Sequence, residues 1–91
     1  MMSKGVGLIF FKDGHTDDIM NYHEYSPDYV VFKTLVDDYI FRRFSPKKYK
    51  FFKHRYAYDM YGNVDDDYTI ADIDKVVIFD NTKEMKSNEM P

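Results

Sequence analysis

Apolar and polar residues alternate along the second half of the chain in a way that predicts β-strands. Over residues 48–60 the side chains alternate between two faces, which is the spacing of one long extended strand. Short apolar runs at residues 6–12 and 75–80 are typical of buried strands. Residues 68–74 fit either a short strand or one helical turn. Together these segments predict a small, mostly antiparallel sheet of three to four strands.

The pattern over residues 27–44 predicts the main helix. Ser26 suits the N-cap, Pro27 the first turn, and Asp28 the positive end of the helix dipole. Ser-Pro at residues 45–46 is a stop signal. One or two further helical turns are expected over residues 16–24.

The apolar positions of this segment follow helical spacing, and we expect the helix to pack them on the sheet. They are Phe32, Leu35, Val36, Tyr39 and Ile40. A strand at residues 29–33 is the alternative, because β-branched and aromatic residues there favour strands. The length of the pattern favours the helix. The predicted fold is therefore α+β, with one main helix on a small sheet.

The composition places the chain among small globular proteins with an aromatic core. The 91 residues include nine Tyr and eight Phe, and leucine occurs only at Leu8 and Leu35. A chain of this length supports one modest core, so we predict a single domain at residues 1–81 and a disordered tail at 82–91. No apolar segment approaches the ~20 residues that cross a membrane.

The absence of cysteine limits the chemistry and suggests a location. It excludes disulfides, thiolate chemistry and a zinc site built from cysteine. A reducing cytoplasm fits this usage.

A stretch at residues 42–61 combines cations with rings and is the candidate binding surface. Residues 42–55 carry seven Lys and Arg and no acid, whereas residues 56–82 carry seven Asp and one Lys. Rings and arginines of this kind anchor protein interfaces. The predicted partner-binding residues are Arg42, Arg43, Tyr49, Phe51, Lys53, Arg55, Tyr56 and Tyr58.

The strand at residues 48–60 has two faces, and only one of them can cover the core. We expect His54 and Tyr56 to point into the core, since burying the opposite face would force Lys53 and Arg55 to reach past the core edge. The exposed binding face would then consist of Tyr49, Phe51, Lys53 and Arg55.

Two alternatives to protein binding arise from the same charges. Rings and cations also bind single-stranded nucleic acid, with Lys47, Lys48 and Lys50 on the phosphates. Residues 45–48, Ser-Pro-Lys-Lys, resemble an element of histone tails that implies a preference for AT-rich DNA. In the second alternative, the aspartates of the second half imitate nucleic-acid phosphates.

No motif indicates an enzyme, a metal site or a cofactor. The chain has no glycine-rich phosphate loop and no nucleophile motif. His15 and His23 are eight residues apart, which is two turns across the possible helix near residues 16–24 and too far for one metal ion. The Asp-rich turn near residue 65 does not match a calcium loop.

The overall composition resembles that of small early proteins of bacteriophages. Lys, Asp, Tyr and Phe are common, and only two Ala are present, at residues 57 and 71. The resemblance implies a non-enzymatic modulator or inhibitor that binds one host protein in the host cytoplasm. A homodimer formed through an edge strand remains open.

Overall fold

The structure, a computed structural model, describes residues 5–58, 60–80 and 83–86, and this part of the chain is folded into strands without a helix. No membrane-spanning helix is found in it. Its strands are, in chain order, β1 (Gly7–Phe11), β2 (Thr16–Ile19), β3 (Asn21–Ser26), β4 (Tyr29–Lys33), β5 (Asp38–Ser45), β6 (Lys48–Tyr58), β7 (Val64–Ile70), β8 (Ile73–Ile78) and β9 (Lys83–Lys86).

The strands form two antiparallel sheets that are joined at two corners. One sheet has the order β2-β1-β8-β9, and the other has the order β3-β4-β5-β6-β7. At the first corner the Met20 N–H donates to the Lys33 carbonyl at 2.7 Å, and at the second the Ala71 N–H donates to the Phe51 carbonyl at 3.0 Å. Backbone hydrogen bonding therefore continues where the chain passes between the sheets.

The inner faces of the sheets meet in one core, and each sheet supplies a different kind of side chain. The five-stranded sheet contributes mainly rings, among them Phe32 and Phe51, which pack edge to face at 6.1 Å. The four-stranded sheet contributes mainly aliphatic residues. These are Ile9, Ile19, Ile73, Val76, Ile78 and, from β9, Met85. The alternation of buried and exposed residues along each strand produces this arrangement.

The predicted α+β fold is wrong, because the segment at residues 27–44 is a β-hairpin. β4 pairs with β5 in a register that joins Tyr29 to Arg42. The turn begins at Thr34, whose hydroxyl accepts the Asp37 N–H at 3.0 Å. Leu35, predicted to pack on a sheet, is 85% exposed at this turn. The alternative strand at residues 29–33 is confirmed by β4.

The helical turns predicted over residues 16–24 are also wrong, since β2 and β3 occupy this segment. The strands predicted at residues 6–12, 48–60 and 75–80 are confirmed by β1, β6 and β8. β8 begins two residues earlier than predicted, at Ile73. The segment at 82–91 contains β9, and residues 82 and 87–91 lie outside the described part of the chain.

Candidate functional site

The five-stranded sheet has a second face, which points away from the core. We call it the outer face. Directly opposed residues in β4, β5, β6 and β7 form three rows across it. The basic row contains Tyr29, Arg42 and Lys50. The apolar row contains Val31, Ile40, Phe52 and Ile70. The mixed row contains Lys33, Asp38, His54 and Tyr68.

The middle of the outer face is a groove floored by the apolar row. Ile40 is only 5% exposed, although it lies outside the core cluster, because neighbouring side chains of the outer face surround it. Two hollows adjoin here, and Tyr29 and Tyr68 line both of them. The hollow on the basic side measures about 220 Å³, and the hollow on the mixed side measures about 380 Å³. A groove with aromatic walls and an apolar floor suits a ligand that inserts a side chain.

Arginine contacts with rings shape the basic side of the groove. The Arg42 guanidinium lies 5.7 Å from the Tyr29 ring centre and 5.6 Å from that of Phe44. Among the described residues, no carboxylate lies within salt-bridge distance of Arg42. Cation–π contacts hold the side chain in place and leave its charge uncompensated. This position suits an incoming carboxylate.

A cluster of rings and one carboxylate shapes the mixed side of the groove. The His54 and Tyr68 rings stack at 4.6 Å with an interplanar angle of 3°, and Tyr56 adjoins His54 at 4.3 Å. His54 donates from Nε2 to the Asp66 carboxylate at 3.1 Å. Desolvation, followed by the nearby Asp66 charge, raises the pKa of the Tyr68 hydroxyl. Ring stacking and the hydrogen bond to Asp66 thus connect the side chains of this cluster.

The predicted binding residues divide between the two faces of the five-stranded sheet. Arg42 and Tyr56 lie on the outer face, where Tyr56 is 52% exposed. Phe51 is 2% exposed and belongs to the core, and Tyr49 packs against the core. The prediction that Phe51 lies on the exposed face is therefore wrong, and so is the prediction that Tyr56 points into the core.

The positions of Lys53 and Arg55 explain how β6 can bury the face that carries Phe51 without burying its cations. Lys53 lies 3.2 Å from the Asp37 carboxylate, and both side chains are partly exposed at the end of the core. Arg55 lies further along β6, where it is exposed. The cations thus lie beyond the core, and the same strand face can bury Phe51.

The remaining predicted residues lie away from the groove. Arg43 is close to Asp28, at 3.7 Å, and its guanidinium lies 5.1 Å from the ring centre of Tyr49. Tyr58 pairs with Val64 in the β6–β7 ladder, and its side chain is outside the described part of the structure.

The prediction from sequence missed the residues that build most of the groove. Tyr29, Phe52 and Tyr68 come from three different strands, and only the register of the sheet brings them together. The alternation of Tyr29, Val31 and Lys33 is visible in the sequence and would have indicated one strand face. The helical interpretation of this segment concealed that signal.

Of the three predicted nucleic-acid-binding lysines, Lys50 is in the basic row. Lys48 is exposed at the start of β6, and Lys47 is in the preceding turn. Within residues 5–58, 60–80 and 83–86, no cluster of His, Asp and Glu could hold a metal ion.

Comparison of the chain with models of protein families, with curated proteins and with solved structures finds no match.

Proposed function

We propose that this protein is a small, non-enzymatic protein-binding module whose outer face is its binding surface. The observation that carries the proposal is the groove over Ile40, where uncovered rings surround an apolar floor and charged side chains lie at both ends. Buried aromatic and arginine anchors within a polar rim are the usual anatomy of a protein interface. The proposed surface keeps Arg42 and Tyr56 and adds Tyr29, Phe52 and Tyr68.

The signs of the charges on the outer face favour a polypeptide partner over a polynucleotide. Arg42 and Lys50 are positive on one side of the groove, whereas the other side has the carboxylates of Asp38 and Asp66 beside Lys33. A nucleic-acid backbone is negative at every residue, so a strand that crossed the face would bring phosphates close to both carboxylates. A polypeptide can present both signs in the matching order.

We further propose that the partner is a host protein and that the chain is a bacteriophage-type modulator or inhibitor of it in the host cytoplasm. The support is the resemblance in composition to small phage early proteins. A single domain of 91 residues with one aromatic groove is large enough to cover a functional surface of another protein.

Single-stranded nucleic acid is the second candidate ligand. The observation in its favour is that Arg42 and Lys50 lie beside exposed rings, an arrangement that supports both phosphate contacts and base stacking. This candidate requires measurable binding of oligothymidylate at ~50 mM salt that falls steeply as salt is added.

Phosphate imitation by carboxylates has less support, because successive aspartates of β7 alternate between faces. Asp66 is bonded to His54 on the outer face, whereas Asp67 is paired in register with Arg55, on the alternate face. On the outer face of β7, Asp66 is followed by Tyr68 and Ile70, so the described side chains of this face do not form a continuous line of carboxylates.

The test is affinity capture from the cell that expresses the protein, with nuclease added to one half of each sample. Wild type is compared with Tyr56→Ala and with Phe79→Ala, a matched control that removes an exposed ring away from the groove. We expect one protein to be captured with or without nuclease, to be reduced at least tenfold by Tyr56→Ala, and to be unchanged by Phe79→Ala. Equal capture by both variants would place the binding surface elsewhere.

A further inference from the structure

We infer that the groove receives an extended segment of the partner that carries an acidic, an apolar and a basic side chain at alternate positions. The acidic residue would lie over the basic row, the apolar one in the smaller hollow, and the basic one over the mixed row. The inference rests on the proposed function, because it specifies the chemistry of the protein that the outer face binds.

The size and lining of the smaller hollow indicate a single apolar side chain. Its volume of about 220 Å³ is below the ~300 Å³ at which pockets for whole small molecules begin. Its walls include Ile40, Phe44 and Phe52, and Arg42 lies at its edge. A phenylalanine ring of the partner would find edge and face contacts with these rings.

The spacing of the rows matches the repeat of an extended chain. Arg42, Ile40 and Asp38 belong to the three rows and are two residues apart along β5. A partner segment that lies along the strands has the same repeat of ~6.6–6.8 Å for two residues, so its side chains at positions i, i+2 and i+4 fall on successive rows. The usual anchors of a helical segment, at i, i+3 and i+7, span ~10.5 Å, which is a poorer match to three rows that span ~13 Å.

The charges of the rows set the order of the partner's side chains. Arg42 and Lys50 face the first position without an acid in their row. Asp38 faces the third position together with Lys33, and Asp66 is close by through its bond to His54. The basic row is thus positive, whereas the mixed row together with Asp66 has two carboxylates beside the single lysine Lys33. Charge complementarity is therefore stronger for the acidic residue than for the basic one.

The experiment is a two-dimensional NMR titration of the isotopically labelled full chain with capped peptides. The central sequences are Glu-Ser-Phe-Ser-Lys, Glu-Ser-Phe-Ser-Glu and Lys-Ser-Phe-Ser-Lys. We expect shifts along β4, β5 and β6, with the first peptide binding tightest and the doubly basic peptide about fivefold weaker. Replacement of the peptide's Phe by Ala should weaken binding at least tenfold.

A charge reversal at Arg42 tests the assignment of the rows. Arg42→Glu should make the doubly basic peptide the tightest ligand. Arg43→Glu is the matched control, since it makes the same change of charge at the neighbouring residue away from the groove, and it should leave the order unchanged. Equal effects of the two variants would overturn the inference, as would equal affinities for the three peptides.

Other occupants of the groove give distinct results. The inference is overturned if oligothymidylate shifts the outer-face resonances and no peptide does. It is also overturned if analytical ultracentrifugation shows that the chain self-associates and the outer face forms the contact. Suppose that a captured partner protects the outer face from hydrogen exchange and no peptide binds. This result would refute the inference of an extended segment, and the proposed function would stand. A partner that protects another surface would refute both.

Discussion

Alanine substitutions at Phe51, Phe52 and Tyr56 measure which face of β6 is in the core. Phe51 is 2% exposed and packs on the rings of Phe32 and Phe41, whose centres lie at 6.1 Å and 5.2 Å. Removing ~150 Å² of buried ring surface at ~25 cal/mol per Å² costs ~4 kcal/mol. This agrees with the ~3–5 kcal/mol expected for Phe→Ala in a core. A domain of this size has a free energy of unfolding of ~5–10 kcal/mol.

The two outer-face substitutions should cost much less. Phe52 is half-buried in an open groove, so Phe52→Ala leaves no closed cavity and should cost ~1–2 kcal/mol. Tyr56 is 52% exposed, and Tyr56→Ala should cost under ~1 kcal/mol. All three free energies follow from urea unfolding monitored by circular dichroism, where ~1 kcal/mol shifts the midpoint by ~1 M. A loss from Phe52→Ala or Tyr56→Ala as large as that from Phe51→Ala would refute the assignment of the faces.

Three further predictions test other parts of the fold. Desolvation, followed by the charges of Asp37 and Asp17, raises the pKa of Tyr39 to about 12, above its ordinary 10.0. The native state therefore keeps a proton that the unfolded chain loses, so up to ~2 kcal/mol of stability should disappear as the pH rises from about 10 to about 12. Urea unfolding across this range should show a flatter pH dependence for Tyr39→Phe, and an unchanged dependence would contradict the assignment. Leu35→Asn and Val36→Asn should each change the free energy of unfolding by less than ~0.5 kcal/mol, because both side chains are exposed at a turn. A loss above ~2 kcal/mol would indicate that these side chains are buried, as the helical interpretation of this segment predicted. Gly7→Ala should lower thermal stability by ~10 °C or more, since the new Cβ would overlap the Val77 carbonyl oxygen. Gly14→Asn should cost only ~1 kcal/mol, because no atom lies near the new Cβ and the cost comes from the φ of 97° alone.

Some elements of this protein were determined by local sequence alone. The apolar runs of β1 and β8 and the long alternation of β6 identify strands without reference to the rest of the chain. Gly62, with a φ of 81°, lies in the turn between β6 and β7, where glycine is the residue that adopts this conformation most readily. The prediction of a ring-rich core also held for the five-stranded sheet, because nine Tyr and eight Phe leave few other residues to fill it.

The local pattern of the hairpin of β4 and β5 fits a helix as well as it fits strands. Its two strands place apolar residues at positions that coincide with helical spacing, and its turn at residues 34–37 contains no Gly, Pro or Asn as a signal. Val30 and Val31 do favour a strand. The structure resolves the ambiguity through the pairing of β4 with β5 and of β5 with β6, which the pattern within a single segment does not contain.

The tertiary structure alone decided which face of β6 carries the candidate site. Both faces of the strand contain rings, so alternation identifies the strand without saying which set is buried. The four-stranded sheet packs on the side of Phe51. Lys53 and Arg55 stay at least partly exposed because they lie beyond the end of the core. The groove then forms on the opposite side, where the register of four strands brings Tyr29, Ile40 and Tyr68 together. Sequence therefore determined that rings and cations would share a surface. Only the packing of the two sheets determined which rings and which cations lie on it.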